Sequence, residues 1–182
     1  MQRGRVQVVG ASGTGTTTLA RAVADAWSVP HADVDDYFWV PTDPPYSVKR
    51  APADRVALMA QVFLPREAWV LSGCMLGWGD AVSARCDAVV FLTLDPVERL
   101  RRLASREHER RTSSGVDERA LEEFFSWARG YDDPTFDGRS RVRHEEWLAT
   151  LSCPVLRLDS TLPTESLRDL VLAREPGQAA RT

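Results

Sequence analysis

The stretch that decides the fold is Gly10-Ala11-Ser12-Gly13-Thr14-Gly15-Thr16-Thr17, with Thr18 directly after it. It follows the apolar run Val6 to Val9 and opens a segment of helical periodicity, Thr16–Trp27. Its three glycines permit a tight turn whose backbone N–H groups point inward, and a helix N-terminus behind them adds positive potential. The pattern therefore predicts a phosphate-binding loop between a strand and a helix.

The loop departs from the usual phosphate-binding sequence at one position. That sequence ends in Gly-Lys-Ser/Thr, where the lysine contacts the β- and γ-phosphates and the hydroxyl ligates Mg²⁺. Here the order is Gly15-Thr16-Thr17. Thr17 therefore retains the side-chain hydroxyl that would ligate Mg²⁺, while Thr16 stands in the position of the lysine. A phosphoryl-transfer site would need another cation, from an arginine elsewhere or from Lys49. The spacing Gly-x-x-Gly-x-Gly differs from the Gly-x-Gly-x-x-Gly of dinucleotide-binding loops.

Composition restricts the class of protein. A chain of 182 residues is expected to form one domain, and its formal charge of −3 argues against an electrostatic nucleic-acid binder. Lys49 is the single lysine among 23 basic residues. The three cysteines lack metal-type spacing, which predicts reduced thiols in a cytoplasm. No apolar stretch reaches roughly 18 residues, so we expect no membrane span, and because the N-terminus opens directly into a predicted strand we expect no signal peptide.

Apolar runs of strand length alternate with longer segments of helical periodicity, which predicts parallel βαβ units. The predicted strands are Arg5–Val9, His31–Val34, Trp69–Ser72, Ala88–Leu94 and Val155–Leu158. The predicted helices are Thr16–Trp27, Ala53–Leu64, Pro96–Glu109, Glu118–Arg129, Arg141–Leu151 and Thr164–Ala173. Prolines make residues 40–52 an expected irregular segment.

Carboxylates follow the second predicted strand, in Asp33-Val34-Asp35-Asp36. Ligands of open parallel sheets bind outside the carboxyl ends of the strands, so these side chains are expected to face the phosphate loop. A carboxylate there can hold Mg²⁺ through water, and its neighbour can accept the proton of an attacking hydroxyl. The alternative is a solvated aspartate cluster that caps the following turn.

Arginines are dense on the predicted helix that begins at Pro96. Arg99, Arg102, Arg106 and Arg110 fall on one face of this helix. Such a face would neutralise the charge that spreads over a transferring phosphoryl group. The alternative is a solvated face paired with neighbouring glutamates, because surface ion pairs are common and weak.

Two further regions are candidates for contact with a second substrate. The segment 37–50 is rich in aromatic residues and prolines, and Lys49, Arg50 and Arg55 offer contacts to an anion. The alternative there is ordinary packing of a loop. A second basic set, residues 139–144, either contacts a substrate anion or solvates a helix, and we expect His144 to be a surface histidine.

Several motifs together resemble the nucleoside monophosphate kinase superfamily. In chain order they are Gly10–Thr17, Asp33 and Asp35, Trp69-Val70-Leu71-Ser72-Gly73, and Leu94-Asp95-Pro96 followed by Arg102-x-x-x-Arg106. Within the superfamily the chain is most similar to the shikimate and gluconate kinase branch. It departs from that branch at Thr16, and at Ser72-Gly73-Cys74, where a shikimate kinase has three glycines.

The resemblance implies an α/β fold of the P-loop NTPase type. Three layers, α/β/α, would enclose a five-stranded parallel sheet in the order 2-3-1-4-5, with a helical lid. Residues 1–175 would form one domain, with a substrate-binding segment at about 36–66 and a lid at about 107–143. Residues 176–182 would form a flexible tail.

The resemblance also implies ATP and Mg²⁺ as cofactors and transfer of the γ-phosphoryl group to a hydroxyl compound or a nucleoside monophosphate. Thr17 and Asp33 would hold the metal, and Asp35 would be the general base. Arg102 and Arg106 would contact phosphates or stack on the base, with the adenine near residues 159–163. Taken together with the residue chemistry above, the predicted contacts to the acceptor are Asp35, Tyr37, Arg50, Arg55, Gly73 and Arg141.

Thr16 leaves a second interpretation open. Without the loop lysine, the chain could be a nucleotide-binding protein or sensor with little or no turnover. We favour the enzyme because the Thr17 hydroxyl, the aspartate pair and the arginine face are present together. A nucleic-acid-binding protein is disfavoured by the net charge.

Overall fold

A computed structural model describes residues 1–111 and 118–174 of the chain, without the side chains of Arg110 and Arg111. The strands are β1 (Arg5–Gly10), β2 (His31–Asp33), β3 (Trp69–Ser72), β4 (Ala88–Thr93) and β5 (Val155–Asp159). The helices are α1 (Thr16–Trp27), α2 (Val34–Phe38), α3 (Pro52–Val62), α4 (Asp80–Ser83), α5 (Pro96–Arg111), α6 (Glu118–Gly130), α7 (Arg141–Thr150) and α8 (Thr164–Ala173). Part of the predicted lid and the predicted tail, 176–182, lie outside the described residues.

The five strands form one parallel sheet in the order β2-β3-β1-β4-β5, which confirms the predicted topology. The phosphate loop leaves the central strand β1, whose Val8 is in register with Ser72 of β3 and Val90 of β4. Asp33 at the end of β2 is in register with Ser72 as well. The loop, Ser72 and Asp33 are therefore at the same edge of the sheet.

Helices cover both faces of the sheet, which confirms the three-layer prediction. On one face, α1 and α8 contribute side chains such as Leu19 and Val171 to a core that includes Val8 and Val90. On the other face the core includes Met59 of α3 and Leu148 of α7. Full burial of such side chains stabilises the fold by roughly 1.5–3 kcal/mol each. Among the described helices, none combines the length and the apolarity needed to cross a membrane.

The second strand is shorter than predicted, because Val34 begins α2 instead of ending β2. The Asp33 carboxylate caps this helix by accepting a hydrogen bond from the Asp35 backbone N–H at 3.1 Å. Aspartate is a preferred residue at this position, since its side chain satisfies an otherwise free donor of the first turn. The cap turns the chain immediately after the strand and sets Asp35 beside Asp33.

The segment 40–52 is more ordered than its prolines indicate. Trp39 and Lys49 form an antiparallel bridge, and Val40 N–H donates to Val48 C=O at 2.9 Å. Pro52 begins α3 and does not belong to the loop, because proline suits the first turn of a helix. The prediction of an irregular segment over 40–52 is therefore wrong in these two respects.

Candidate active site

The phosphate loop has a backbone that requires glycine at several positions. Gly13 and Gly15 have φ values of 93° and 85°, in the left-handed region that other residues rarely adopt. A Cβ on Gly13 would also lie 2.6 Å from the Arg99 carbonyl oxygen. The turn is closed by Thr14, whose N–H and hydroxyl both donate to the Ala11 carbonyl, at 3.2 and 2.8 Å.

Helix α1 begins directly after this turn, with Gly15 as its N-cap residue and no side chain capping it. The first turn contains Thr16, Thr17 and Thr18 and no acidic residue. Uncapped N–H groups at a helix N-terminus, next to a glycine-rich loop, form a binding site for an anion such as a phosphate. The local structure therefore matches what the sequence predicts for residues 10–18.

The predicted metal-binding pair is brought together. The Thr17 hydroxyl donates to Asp33 Oδ2 at 2.9 Å, and the Ser72 hydroxyl donates to the same oxygen at 2.9 Å. Mg²⁺ is commonly held by one or two carboxylates plus substrate phosphates, and hydroxyl and carboxylate oxygens are suitable ligands. The described residues contain no cluster of three acidic, histidine or cysteine ligands. Thr17 and Asp33 would hold the metal together with substrate phosphates and waters.

Asp35 lies in the first turn of α2 with an accessible carboxylate. Desolvation by the surrounding protein raises the pKa of this carboxyl above its ordinary value, and the negative charge of Asp33 raises it further. The positive charges of Arg139 and Arg106 oppose the shift. A carboxylate with a raised pKa close to a phosphate loop has the properties of a general base.

Arg102 is bound to the neighbouring turn. Its Nε donates to Glu98 Oε1 at 2.8 Å, and its Nη1 donates to the Ser160 carbonyl at 2.9 Å. The Ser160 hydroxyl in turn donates to the Thr14 carbonyl of the phosphate loop at 2.6 Å. Arg102 and Ser160 therefore link α5, the turn after β5 and the phosphate loop by hydrogen bonds, near the region where the adenine is predicted to bind.

Arg106 and Arg99 have different environments although they share a helix face. Arg106 is half-exposed and pairs with Glu107 at 2.7 Å. Arg99 is buried, and it pairs with Asp132 at 2.6 Å and donates to the Ser12 carbonyl at 3.1 Å. The prediction that Arg99 faces the phosphates is wrong. Asp132 neutralises its charge inside the protein, and its guanidinium binds the backbone of the loop at the Ser12 carbonyl.

Arg139 contacts the phosphate loop, although the sequence did not predict a role for it there. Its Nη2 donates to the Ser12 hydroxyl of the phosphate loop at 2.7 Å. Its guanidinium lies over the Trp127 ring at 4.7 Å from the centroid. The sequence places it in the basic set 139–144, from which we predict Arg141 as the acceptor contact; Arg141 is exposed in the first turn of α7.

His144 is buried, which corrects the prediction of a surface histidine. Its Nδ1 is 2.8 Å from the Tyr131 hydroxyl, and its Nε2 is 3.0 Å from Cys74 Sγ. Burial, and then the charge of Arg139, lower the pKa of His144 to about 3. The imidazole is therefore neutral near pH 7 and serves as a hydrogen-bonding link between α7, the turn that contains Tyr131, and the residue after Gly73.

Arg55 lies inside the predicted substrate-binding segment. Its guanidinium stacks on Phe38 at 3.8 Å and on Trp78 at 4.9 Å from the ring centroids, and its Nε donates to the Arg50 carbonyl. Burial, followed by the charge of Arg50, lowers the pKa of Arg55. Arg50 itself donates to the backbone carbonyl of Tyr37. These residues form one packed unit beside α2.

Gly73, the last predicted acceptor-side residue, follows β3 with a φ of 106°. A Cβ at this position would lie 2.8 Å from the Val34 Cβ, so glycine is required by both conformation and space. Its N–H donates to the Val8 carbonyl, and its carbonyl accepts from Gln7 Nε2 at 2.9 Å. Gly73 therefore joins β3 to the central strand next to the phosphate loop.

Comparison with known proteins is consistent with this geometry. The family described as AAA domain matches residues 6–123. The uncharacterized protein YqaC of Bacillus subtilis (strain 168) is 36% identical over 171 residues, which cover 92% of this chain and 94% of that protein.

Two solved structures share the fold at low sequence identity. A gluconokinase from Sinorhizobium meliloti 1021 is 18% identical with a TM-score of 0.52, over 94% of this chain and 90% of that one. A shikimate kinase from Bacteroides thetaiotaomicron is 19% identical with a TM-score of 0.53, over 93% and 98% of the two chains. The chain therefore belongs to the AAA domain family, and it has the fold of P-loop small-molecule kinases.

Proposed function

We propose that this protein is an ATP-dependent, Mg²⁺-dependent kinase that transfers the γ-phosphoryl group to a small-molecule acceptor, a hydroxyl compound or a nucleoside monophosphate. The observation that carries the proposal is the hydrogen bond of 2.9 Å between the Thr17 hydroxyl and Asp33, with Asp35 two residues further on. A phosphate loop, a metal-binding pair and a candidate base meet there at one edge of the sheet. Phosphoryl transfer needs these three components.

Each group of residues has its own role in the proposed reaction. The loop N–H groups hold the phosphates of ATP, and Asp35 accepts the proton of the acceptor hydroxyl as its oxygen bonds to the γ-phosphorus. The bond from that phosphorus to the β–γ bridging oxygen breaks, and ADP leaves. Bound Mg²⁺, held by Thr17 and Asp33, would neutralise charge on the phosphates. Arg102 and Arg106 would close on the nucleotide from α5.

The acceptor is proposed to bind over residues 36–66, with the segment 107–143 as the lid that covers both substrates. Arg55 supports this assignment because it is buried between two rings, yet within residues 1–111 and 118–174 no carboxylate pairs with it. An anionic group on the acceptor would compensate this charge.

We place the enzyme in the cytoplasm, since its three cysteines are free thiols.

Thr16 is the observation that favours a second candidate function. A loop that lacks its lysine still binds nucleotide through backbone donors, so the protein could act as a nucleotide sensor with little turnover. The two functions differ in whether the phosphoryl group moves.

The experiment that decides is a transfer assay with γ-labelled ATP and Mg²⁺ against a panel of hydroxyl compounds and nucleoside monophosphates. Label in an acceptor, lost in Asp35→Asn, supports the kinase. Tight binding of Mg·ATP in calorimetry without labelled product from any acceptor supports the sensor. Absence of nucleotide binding would contradict both.

A further inference from the structure

We propose that Arg139 supplies the cation that phosphate-binding loops normally carry as lysine at the position of Thr16. This inference rests on the proposed function, because it assigns a residue to the same phosphoryl-transfer site. The sequence distance is large, since Arg139 lies 127 positions after Ser12 of the loop. Only the fold places this guanidinium on the loop.

The position of Arg139 is the first argument. Its Nη2 donates to the Ser12 hydroxyl at 2.7 Å, so the cation touches the middle of the phosphate loop. A phosphoryl group that leaves a nucleotide bound on this loop starts beside Ser12, and the Arg139 guanidinium lies there.

The second argument is that Arg139 is held in place but not neutralised. Its guanidinium lies over the Trp127 ring, a contact that orients it. Its Nε is buried without a hydrogen-bond partner. In the described part of the chain, no carboxylate lies within ion-pair distance of it. A buried donor and an unmatched positive charge next to a phosphate loop are satisfied by an anion.

The other candidate cations with described side chains are either paired with a carboxylate or, like Lys49, exposed and without a described contact to the loop. Arg99 is paired with Asp132 in the interior, and Arg102 is bound to Glu98 and to the Ser160 carbonyl. Arg106 is paired with Glu107, and Lys49 is exposed in the strand pair with Trp39. Arg110 is the competing candidate whose side chain lies outside the described residues.

In the transfer step Arg139 donates hydrogen bonds to oxygens of the γ-phosphoryl group and moves no proton. The acceptor oxygen bonds to phosphorus, the bond to the β–γ bridging oxygen breaks, and Asp35 takes the acceptor proton. The guanidinium compensates the negative charge on the equatorial oxygens, as an arginine finger does. Removing one such positioned donor costs roughly 100-fold or more in rate.

The test measures how Arg139→Ala, Arg139→Lys, Thr16→Lys and the double variant Thr16→Lys/Arg139→Ala bind two probes in calorimetry. Mg·ADP represents the ground state, and Mg·ADP with aluminium fluoride imitates the transferring phosphoryl group. Arg139→Ala is expected to lose roughly 100-fold in affinity for the aluminium fluoride complex, with less than a 5-fold change for Mg·ADP. The added lysine in the double variant is expected to restore most of that loss, and Arg139→Lys to retain part of it.

Arg168→Ala is the matched control, because this arginine pairs with Asp169 on α8, away from the loop. Equal losses for both probes in Arg139→Ala would overturn the inference, since they would indicate a purely structural role. Unchanged binding in Arg139→Ala, a selective loss in Arg110→Ala in its place, or no rescue by Thr16→Lys would overturn it as well. If the wild-type protein binds neither probe, the proposed function itself fails, which is a distinguishable result.

Discussion

The hydroxyl of Thr17 and the carboxylate of Asp33 are 16 residues apart in sequence and 2.9 Å apart in the structure. One lies in the first turn of α1 and the other at the end of β2, two strand positions from β1 in the sheet. Ser72, at the end of the intervening strand β3, donates to the same carboxylate oxygen. Three separate elements therefore orient one carboxylate beside the phosphate loop.

Asp33→Asn is expected to weaken Mg²⁺-dependent nucleotide binding by roughly 10- to 100-fold, because it removes the charge that would face the metal. Calorimetry of ADP with and without Mg²⁺ measures this effect. Asp36→Asn is the matched control, since Asp36 is a neighbouring carboxylate in the first turn of α2 to which we assign no role. An Asp33→Asn protein with unchanged Mg²⁺ dependence would remove this residue from the metal site.

Asp35→Asn is expected to reduce phosphoryl transfer at least 100-fold and to leave ATP binding nearly unchanged, because an amide cannot accept the acceptor proton. In the wild-type enzyme, turnover should fall as the pH drops through the raised pKa of Asp35, at a higher pH than an ordinary aspartate would give. A pH–rate profile checks both points. Transfer by the variant at the wild-type rate would contradict the assignment of the base.

The same substitution is expected to stabilise the fold. Because the pKa of Asp35 is raised in the folded state, ionising this carboxyl favours unfolding, and stability is lost as the pH rises through the folded-state pKa. At neutral pH Asp35→Asn should therefore raise the midpoint of urea unfolding. A lower midpoint would show that the ionised carboxylate makes stabilising contacts.

Arg106→Ala is expected to weaken ATP binding or turnover by roughly 10-fold, on the premise that Arg106 leaves Glu107 to contact phosphates when the nucleotide is bound. Arg101→Ala is a matched control, because Arg101 is an exposed residue of the same helix paired with Glu98. Titration with Mg·ATP and steady-state kinetics provide the measurements. If the two variants behave alike, Arg106 is not part of the site.

Arg99→Ala is expected to destabilise the protein by about 3–5 kcal/mol, because it removes a buried guanidinium and leaves Asp132 without its partner. The exposed pair of Arg5 and Asp87 offers the contrast, since Arg5→Ala should cost about 1 kcal/mol or less. Urea unfolding followed by circular dichroism measures both. A small effect at Arg99 would mean that solvent replaces its contacts.

Because His144 is buried in its neutral form, we expect the free energy of unfolding to fall in acid. The pKa of His144 is about 3 in the folded protein and about 6.5 when unfolded, so its contribution is complete above 6.5 and is lost as the pH falls toward 3. Between pH 7 and 4.5 the wild type should lose about 2–3 kcal/mol more than His144→Phe. His108→Gln, at an exposed histidine, should follow the wild type.

Local sequence predicted those parts of the site that depend on neighbouring residues. The glycines of the loop, the Thr17 hydroxyl and the carboxylates after β2 follow from turn geometry and strand ends, and they lie where they were expected. The start of α2 at Val34 was not predicted, because an apolar residue suits the end of a buried strand as well as the first turn of a helix. The cap that Asp33 forms there matches the alternative given for these aspartates, in which they cap the following turn.

The remaining errors concern long-range contacts. Arg99 and Arg106 share a helix face, yet one is buried against Asp132 and the other is exposed, because the packing of α6 against α5 covers only part of that face. Helical periodicity indicates which face of a helix a side chain lies on, but not which residues pack against that face. For the same reason His144 could not be assigned to the interior from sequence alone.

Glycine spacing and apolar periodicity were enough to predict a parallel α/β sheet with a phosphate loop that lacks its lysine, because both patterns depend on residues close together in the chain. Which basic side chains contact that loop depends instead on the packing of distant elements. Arg139 reaches Ser12 because α7 packs on the sheet and returns the preceding turn to the carboxyl edge of β1. Such a contact depends on how distant elements are packed, and no local pattern in the chain encodes it.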